Sequence, residues 1–382
     1  MVVYFFSFLV SLLLFYAISK NKKTRLINAE VIKISKKKFV ISRFNLAVFC
    51  ASIPPMFISA VRYYVGTDYL RTYYTGFYRV LDGSVIDGFE IGFYFLIKGI
   101  QIFTDNAFWL FIITSIIFVG VVYKSMEDIS IDVPLSIILF LVTRYYFIGM
   151  NGVRQFLGMA FLMYSIRYIY ECKFVKYSFF IVLACLLHYT CILFAPAYFI
   201  SKFSLTRKRV IALIIGDIAF LNIGIPILMK ILSGTKYGLL VTKYDLAGIK
   251  FTIFTITLNF ILFMIGYIGY KRNKSDLKYC ACLNIQFFAF LISLTLQAIP
   301  LMERVYWIYS FPIIVTLPYL LNSIQSKEVR KAVKCGIVLI YLVYMIYDIC
   351  ILRDHDVLPY RWIFGESATH YSGWDWYGGR IR

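Results

Sequence analysis

Three arginines, one histidine and two carboxylates stand out in a chain that is otherwise mostly hydrocarbon. They are Arg62 and Asp68 in "RYYVGTDY", Glu90 in "DGFEIGF", Arg154 in "NGVRQ", His188 in "LLHYTC" and Arg304 in "PLMERVYW". An ionisable side chain drawn into a bilayer costs about 2.5–3.5 kcal/mol on insertion scales, so such groups usually face a cavity or a partner. A guanidinium keeps its charge and grips two phosphate oxygens at once. Arginines from separate turns, converging with a histidine and carboxylates, therefore suit a pyrophosphate ligand. Plainer uses stand beside this one. An arginine at a helix end can snorkel to lipid headgroups, and Glu303–Arg304 can be an ion pair with no part in chemistry. A lone histidine in an apolar run is more often a packed one, and Asp68 after Gly66-Thr67 fits a turn. The chemical reading holds only if these residues share one side of a membrane.

The elements that must position them follow from composition. The chain is 61% hydrophobic and 16% charged, with a mean hydropathy of +0.76. A water-soluble domain cannot hide that much apolar surface, so lipid is the solvent for most of the chain. The net charge of +20 does not point to nucleic acid, because four loops (residues 20–43, 202–209, 271–278 and 327–334) hold 21 of the 40 Lys and Arg against 3 acids. Short basic loops between apolar runs are the positive-inside signature.

With those loops inside, the sequence predicts an all-α polytopic membrane protein of about ten spans: 2–19, 44–61, 107–123, 134–149, 154–171, 209–231, 251–270, 280–299, 305–321 and 335–352. The first run has no basic residue before it and a basic block after it, which suits an uncleaved anchor with both chain ends outside. Residues 178–201 do not fit as one crossing, since that would put four Lys/Arg outside and invert every later loop. They read as a re-entrant pair of short helices with His188 and Tyr189 near the tip, lining a cavity. The whole chain, 1–382, is one membrane domain with an outer segment at 62–106 and an outer tail at 353–382. On this topology all six residues reach the outer side. No cysteine falls in the outer segments and no zinc-type Cys/His spacing occurs, so neither a disulfide framework nor a metal site is expected.

The order of these pieces resembles the EpsG family of Wzy-like polysaccharide polymerases. The matching elements are Arg62 with Gly66-Thr67-Asp68-Tyr69 and a following tyrosine (Tyr73 or Tyr74), then Glu90, Gly92 and Phe93. Arg154-Gln155 at a helix start, Lys173-Phe174 followed by His188, Arg304 before an aromatic run, and Pro359-Tyr360 complete the set. One departure is Tyr189-Thr190 after the histidine, where the family pattern has a small residue and a serine.

The resemblance implies a GT-C-like membrane glycosyltransferase without cofactor or metal. It implies a bacterial cytoplasmic membrane location and a site facing outward. The partners it implies are an undecaprenyl-pyrophosphate-linked oligosaccharide, membrane lipids and a chain-length regulator, with no nucleic acid. The activity would be polymerisation of an O-antigen, capsule or exopolysaccharide. A ligase with another acceptor and a transporter of the same lipid-linked units are the alternatives. In that chemistry Arg154 and Arg304 meet the leaving pyrophosphate, with Arg62 as the third candidate. His188 takes the acceptor proton, and Asp68 is the rival base. Asp68 and Glu90 otherwise orient sugar hydroxyls or an arginine, and Tyr69, Gln155, Glu303 and Tyr360 complete the substrate-binding set.

Overall fold

The structure is a computed structural model, which describes residues 1–19, 43–83, 88–233, 249–295 and 302–365. Most of the basic block at 20–43, residues 84–87 and 296–301, and the tail beyond 365 lie outside the described residues. The described chain is helical throughout, with a lone antiparallel bridge between Arg62 and Trp362.

Two apolar helices, α1 (Val2–Ser19) and α2 (Arg43–Ala60), pack side by side. A connecting segment then carries a π turn (Tyr69–Tyr74), α3 (Thr75–Leu81) and α4 (Ile91–Gln101) before α5 (Phe108–Ile129) crosses the bundle. The next run is α6 (Val133–Val142), α7 (Tyr145–Asn151), α8 (Val153–Tyr170) and α9 (Phe174–Leu187), followed by a 3-10 turn (Tyr189–Phe194) and α10 (Ala197–Ile200). The chain continues through α11 (Arg207–Ala219), α12 (Ile225–Ser233), α13 (Ile249–Asn273) and α14 (Leu277–Thr295). It closes with α15 (Met302–Ser310), α16 (Ile313–Leu321) and α17 (Lys327–Ile346).

Among the described residues seven helices are long and apolar enough to cross a membrane, or nine when α6/α7 and α15/α16 are each taken as one bent span. The bends are 55° and 47°, and each has a local cause. Arg144 takes a left-handed backbone (φ 71°) between α6 and α7, and Pro312 withholds its N–H at the start of α16. Ten spans were expected. The difference is α8, which is 18 residues long but carries Arg154, Gln155 and Arg167. Its faces are mostly packed against protein, so it need not be as apolar as a helix that touches lipid.

Residues 174–200 form a helical hairpin. The Phe174 ring meets Tyr198 with centroids 5.0 Å apart, and the Tyr177 hydroxyl donates to the Phe194 carbonyl at 2.5 Å. The chain therefore returns beside its own start, with His188 at the turn. Glycine permits the close packing of this hairpin. A Cβ on Gly158 would lie 2.6 Å from Cys191 Sγ, and one on Gly92 would lie 2.6 Å from the Leu186 carbonyl oxygen.

The bundle has two polar ends. At one, Lys124 pairs with Asp128 (2.9 Å), Lys173 with Glu171 (2.7 Å) and Arg167 with Asp128. The other end holds Met1, the 61–68 turn, the 88–90 loop, the hairpin tip and the tail from residue 352. Tyr4 donates to the Val357 carbonyl (3.0 Å), and the Tyr63 N–H to the Arg361 carbonyl (2.9 Å). The core between them is aromatic: Phe118, Phe140, Tyr145, Phe156 and Phe311 meet mostly edge to face.

Candidate functional site

At the Met1 end, residues 151–155 act as a hub. Gly152 separates α7 from α8, and each polar side chain around it holds a different element. Asn151 Oδ1 accepts from the Asp68 N–H (2.9 Å) and the Thr67 hydroxyl (3.0 Å), while its Nδ2 donates to His355 Nδ1 (3.1 Å). Gln155 donates to the Arg304 carbonyl at 2.7 Å. Arg154 reaches the loop before α4, donating to the Gly88 carbonyl and, at 2.5 Å, to Glu90 Oε2.

Glu90 is the centre of a polar cluster. Its second oxygen, Oε1, lies 2.6 Å from His188 Nδ1 and 3.4 Å from the Tyr189 N–H. One carboxylate thus joins α8 to the hairpin tip, across 64 and 98 residues of sequence. Burial alone would raise the Glu90 carboxyl, but the His188 hydrogen bond and the Arg154 charge outweigh it and hold it below its ordinary value. An ionised carboxylate only accepts, so the proton between it and His188 sits on Nδ1. In its neutral form His188 presents a lone pair at Nε2, and that nitrogen is buried with no hydrogen-bond partner among the described residues. The Arg154 Nε and the Thr190 hydroxyl are buried and unpartnered too. Unsatisfied buried groups cost about 1–3 kcal/mol each, so three in one neighbourhood point to a place where something else completes the bonding.

The other expected residues divide clearly. Arg304 and Glu303 are exposed at the start of α15, and neither makes an ion pair among the described residues. Asp68 is half-buried, taking the Thr72 hydroxyl at 3.3 Å. Arg62, expected at the ligand, is instead buried to 1% exposure. It donates to the Ser59 carbonyl, to Ser115 Oγ (3.0 Å) and to the Met150 carbonyl (3.2 Å), and its guanidinium lies over Phe111. With both terminal nitrogens committed inside the protein, and Nε buried without a partner among the described residues, it braces α2 against α5 and α7. Tyr69 is likewise stacked on Phe111 at 4.0 Å, and Tyr360 donates to the Ile58 carbonyl at 2.9 Å, which places both in the frame. Gln155 is buried and works through Arg304's backbone.

Sequence reasoning missed Arg144, Asp348, Asn151 and His355. Arg144 pairs with Asp348 at 2.5 Å and lies 4.2 Å from the Tyr344 ring, at the break of a bent span. An arginine within the run "LFLVTRYYFIGM" was the available signal. Asn151 and His355 are 204 residues apart, and their pairing has no local signature.

A family model described as EpsG family matches residues 45–362. No curated protein and no solved structure matches the chain. The matched stretch spans most of the sequence and includes every residue of the Glu90, Arg154 and His188 cluster. The chain is a multi-pass membrane protein that belongs to the EpsG family.

Proposed function

We propose that this chain is a polysaccharide polymerase of the bacterial cytoplasmic membrane. It transfers a growing glycan from an undecaprenyl-pyrophosphate carrier to a lipid-linked repeat unit on the outer face. The observation that carries this reading is the single carboxylate, Glu90, shared by a histidine with a free Nε2 and an arginine. Taking α8 as a span buried within the bundle brings the count of crossings to ten, in the manner of a GT-C-like enzyme. The basic loops then lie inside, and the Glu90 cluster lies outside.

In the transfer, Glu90 fixes the His188 tautomer, and Nε2 takes the proton from the acceptor hydroxyl as its oxygen attacks the anomeric carbon. The bond from that carbon to the pyrophosphate oxygen breaks, and the electron pair leaves with the phosphate. Arg304, exposed and without an ion-pair partner among the described residues, and Arg154, oriented by Glu90, meet the charge that grows on the leaving oxygen. Such stabilisation acts on the transition state more than on the ground state. Cells lacking the protein should accumulate single lipid-linked repeats on the outer leaflet and lose long surface glycan. Accumulation on the inner leaflet would favour transport, and loss of glycan from a new acceptor, with free carrier-linked polymer intact, would favour a ligase.

A further inference from the structure

Residues 353–365 are fastened to the Met1 end by a series of hydrogen bonds. The Gly66 N–H donates to the Asp356 carbonyl (3.0 Å), Tyr4 to Val357, Tyr63 to Arg361, and the Ile363 N–H to the Val61 carbonyl (3.0 Å). Held this way, the "RDHD" turn places three non-glycine residues in the left-handed region, Arg353 (φ 53°), His355 (φ 62°) and Asp356 (φ 49°). Such backbone persists only where its surroundings over-determine it, and it clusters at binding sites. What the turn delivers is an imidazole of fixed tautomer. Asn151 spends Oδ1 on two donors and gives Nδ2 to His355 Nδ1. Nδ1 is therefore the acceptor and the proton is on Nε2. That Nε2 lies 3.4 Å from the exposed Asp354 carboxylate without hydrogen-bond geometry to it, and it has no partner among the described residues.

We propose that His355 is a sugar-binding residue, its Nε2–H donating to a hydroxyl of the acceptor saccharide when that hydroxyl displaces the Asp354 side chain. This rests on the transferase reading above and adds the acceptor's place in the site. The Asn151–Arg154 turn joins His355 to the Glu90 cluster, so the two imidazoles flank one helix start. The charges nearby choose the ligand. Asp68, Asp348 and Asp354 act on His355, and Glu303 acts on Asp354 and Asp348, against Arg144, which is committed to Asp348, and Arg304 beside Glu303. That surplus of carboxylates repels a phosphate and accepts readily from neutral hydroxyls. The pyrophosphate belongs on the Arg304 side, and the incoming sugar belongs here.

The test uses the full-length protein with lipid-linked repeat units extracted from cells that lack it as donor, and a short-alkyl-linked copy of the repeat as acceptor. For His355→Ala the acceptor KM should rise by about tenfold, the worth of one lost hydrogen bond, with kcat reduced much less. His355→Gln, whose amide N–H can stand in for Nε2–H, should recover most of the affinity. An unchanged acceptor KM in His355→Ala overturns the proposal. So does an equal loss of kcat in both variants with KM constant, which marks the residue as structural. A wild-type protein that forms no glycosidic bond from the extracted donor would instead defeat the transferase reading itself.

Discussion

Replacing Glu90 by Gln is the sharpest perturbation of this site, because it keeps the shape and removes only the charge and one acceptor. In the native protein Oε1 accepts from His188 Nδ1 at 2.6 Å and Oε2 from Arg154 at 2.5 Å. A glutamine has one acceptor for these two donors. Arg154 always donates, so the amide oxygen turns to it and the amide N–H faces His188. Nδ1 must then become the acceptor, and the proton moves to Nε2, the atom that has to take the acceptor's proton. General-base catalysis contributes about 10²–10⁴-fold, and forcing the wrong tautomer on a catalytic histidine costs about 10⁴-fold in a well-studied triad. The expected fall in polymerisation rate is about 10³-fold. The assay is glycan length and initial rate in membranes holding equal amounts of wild-type and variant protein. The same substitution changes the acid response. The native carboxyl titrates below its ordinary 4.5, so its contribution to stability is complete above that pH and is lost as the pH falls through the lower folded value. That acid-side loss should vanish in the Gln variant. A Glu90→Gln protein working within threefold of wild type would refute the assignment of His188 as the base.

Other substitutions separate the roles that the structure assigns. Arg304→Ala should leave the amount of folded protein unchanged, since the side chain is exposed, and slow polymerisation by about 10²–10³-fold, the usual cost of losing one transition-state donor; equal rates would remove it from the leaving-group site. Arg62→Met should do the reverse, lowering melting temperature and membrane yield. It leaves the carbonyls of Ser59 and Met150 and the Ser115 hydroxyl without their donor, a loss of about 3 kcal/mol or more. A stable Arg62→Met protein that fails only in donor binding would contradict the bracing role. Gly92→Val puts side-chain atoms against the Leu186 carbonyl, so α4 must move from the hairpin and carry Glu90 from His188. Activity should fall far more than stability, and a Gly92→Val protein of wild-type activity would contradict the close approach of α4 to the hairpin.

Much of the architecture was written in composition. Basic loops alternating with apolar runs led to the expectation that Glu90, Arg154 and His188 share one side, and the structure joins these three side chains at one end of the bundle. A re-entrant pair was expected at 178–201 because a single crossing there would invert every later loop, and the structure has two short apolar helical stretches there, Phe174–Leu187 and Tyr189–Ile200. What stayed hidden is what depends on packing. Arg62 and Arg304 look alike in sequence, yet one is sealed beneath Phe111 and the other is exposed. Which fate an arginine meets depends on acceptors such as Ser115 and Met150, which no local pattern links to it. The breaks at Arg144 and Pro312 turned two apparent spans into bent pairs. Arg144 lies inside the run expected as one span, 134–149, and its partner Asp348 is far away in sequence. The His355–Asn151 contact is non-local and surfaced only with the fold.

The most direct measurement is reconstitution. Purified protein in liposomes, given single lipid-linked repeat units, should form a ladder of carrier-linked polymer and release one polyprenyl pyrophosphate for each bond made, while His188→Ala forms none. A wild-type protein that leaves the units single, or a His188→Ala protein that builds the same ladder, would contradict the account.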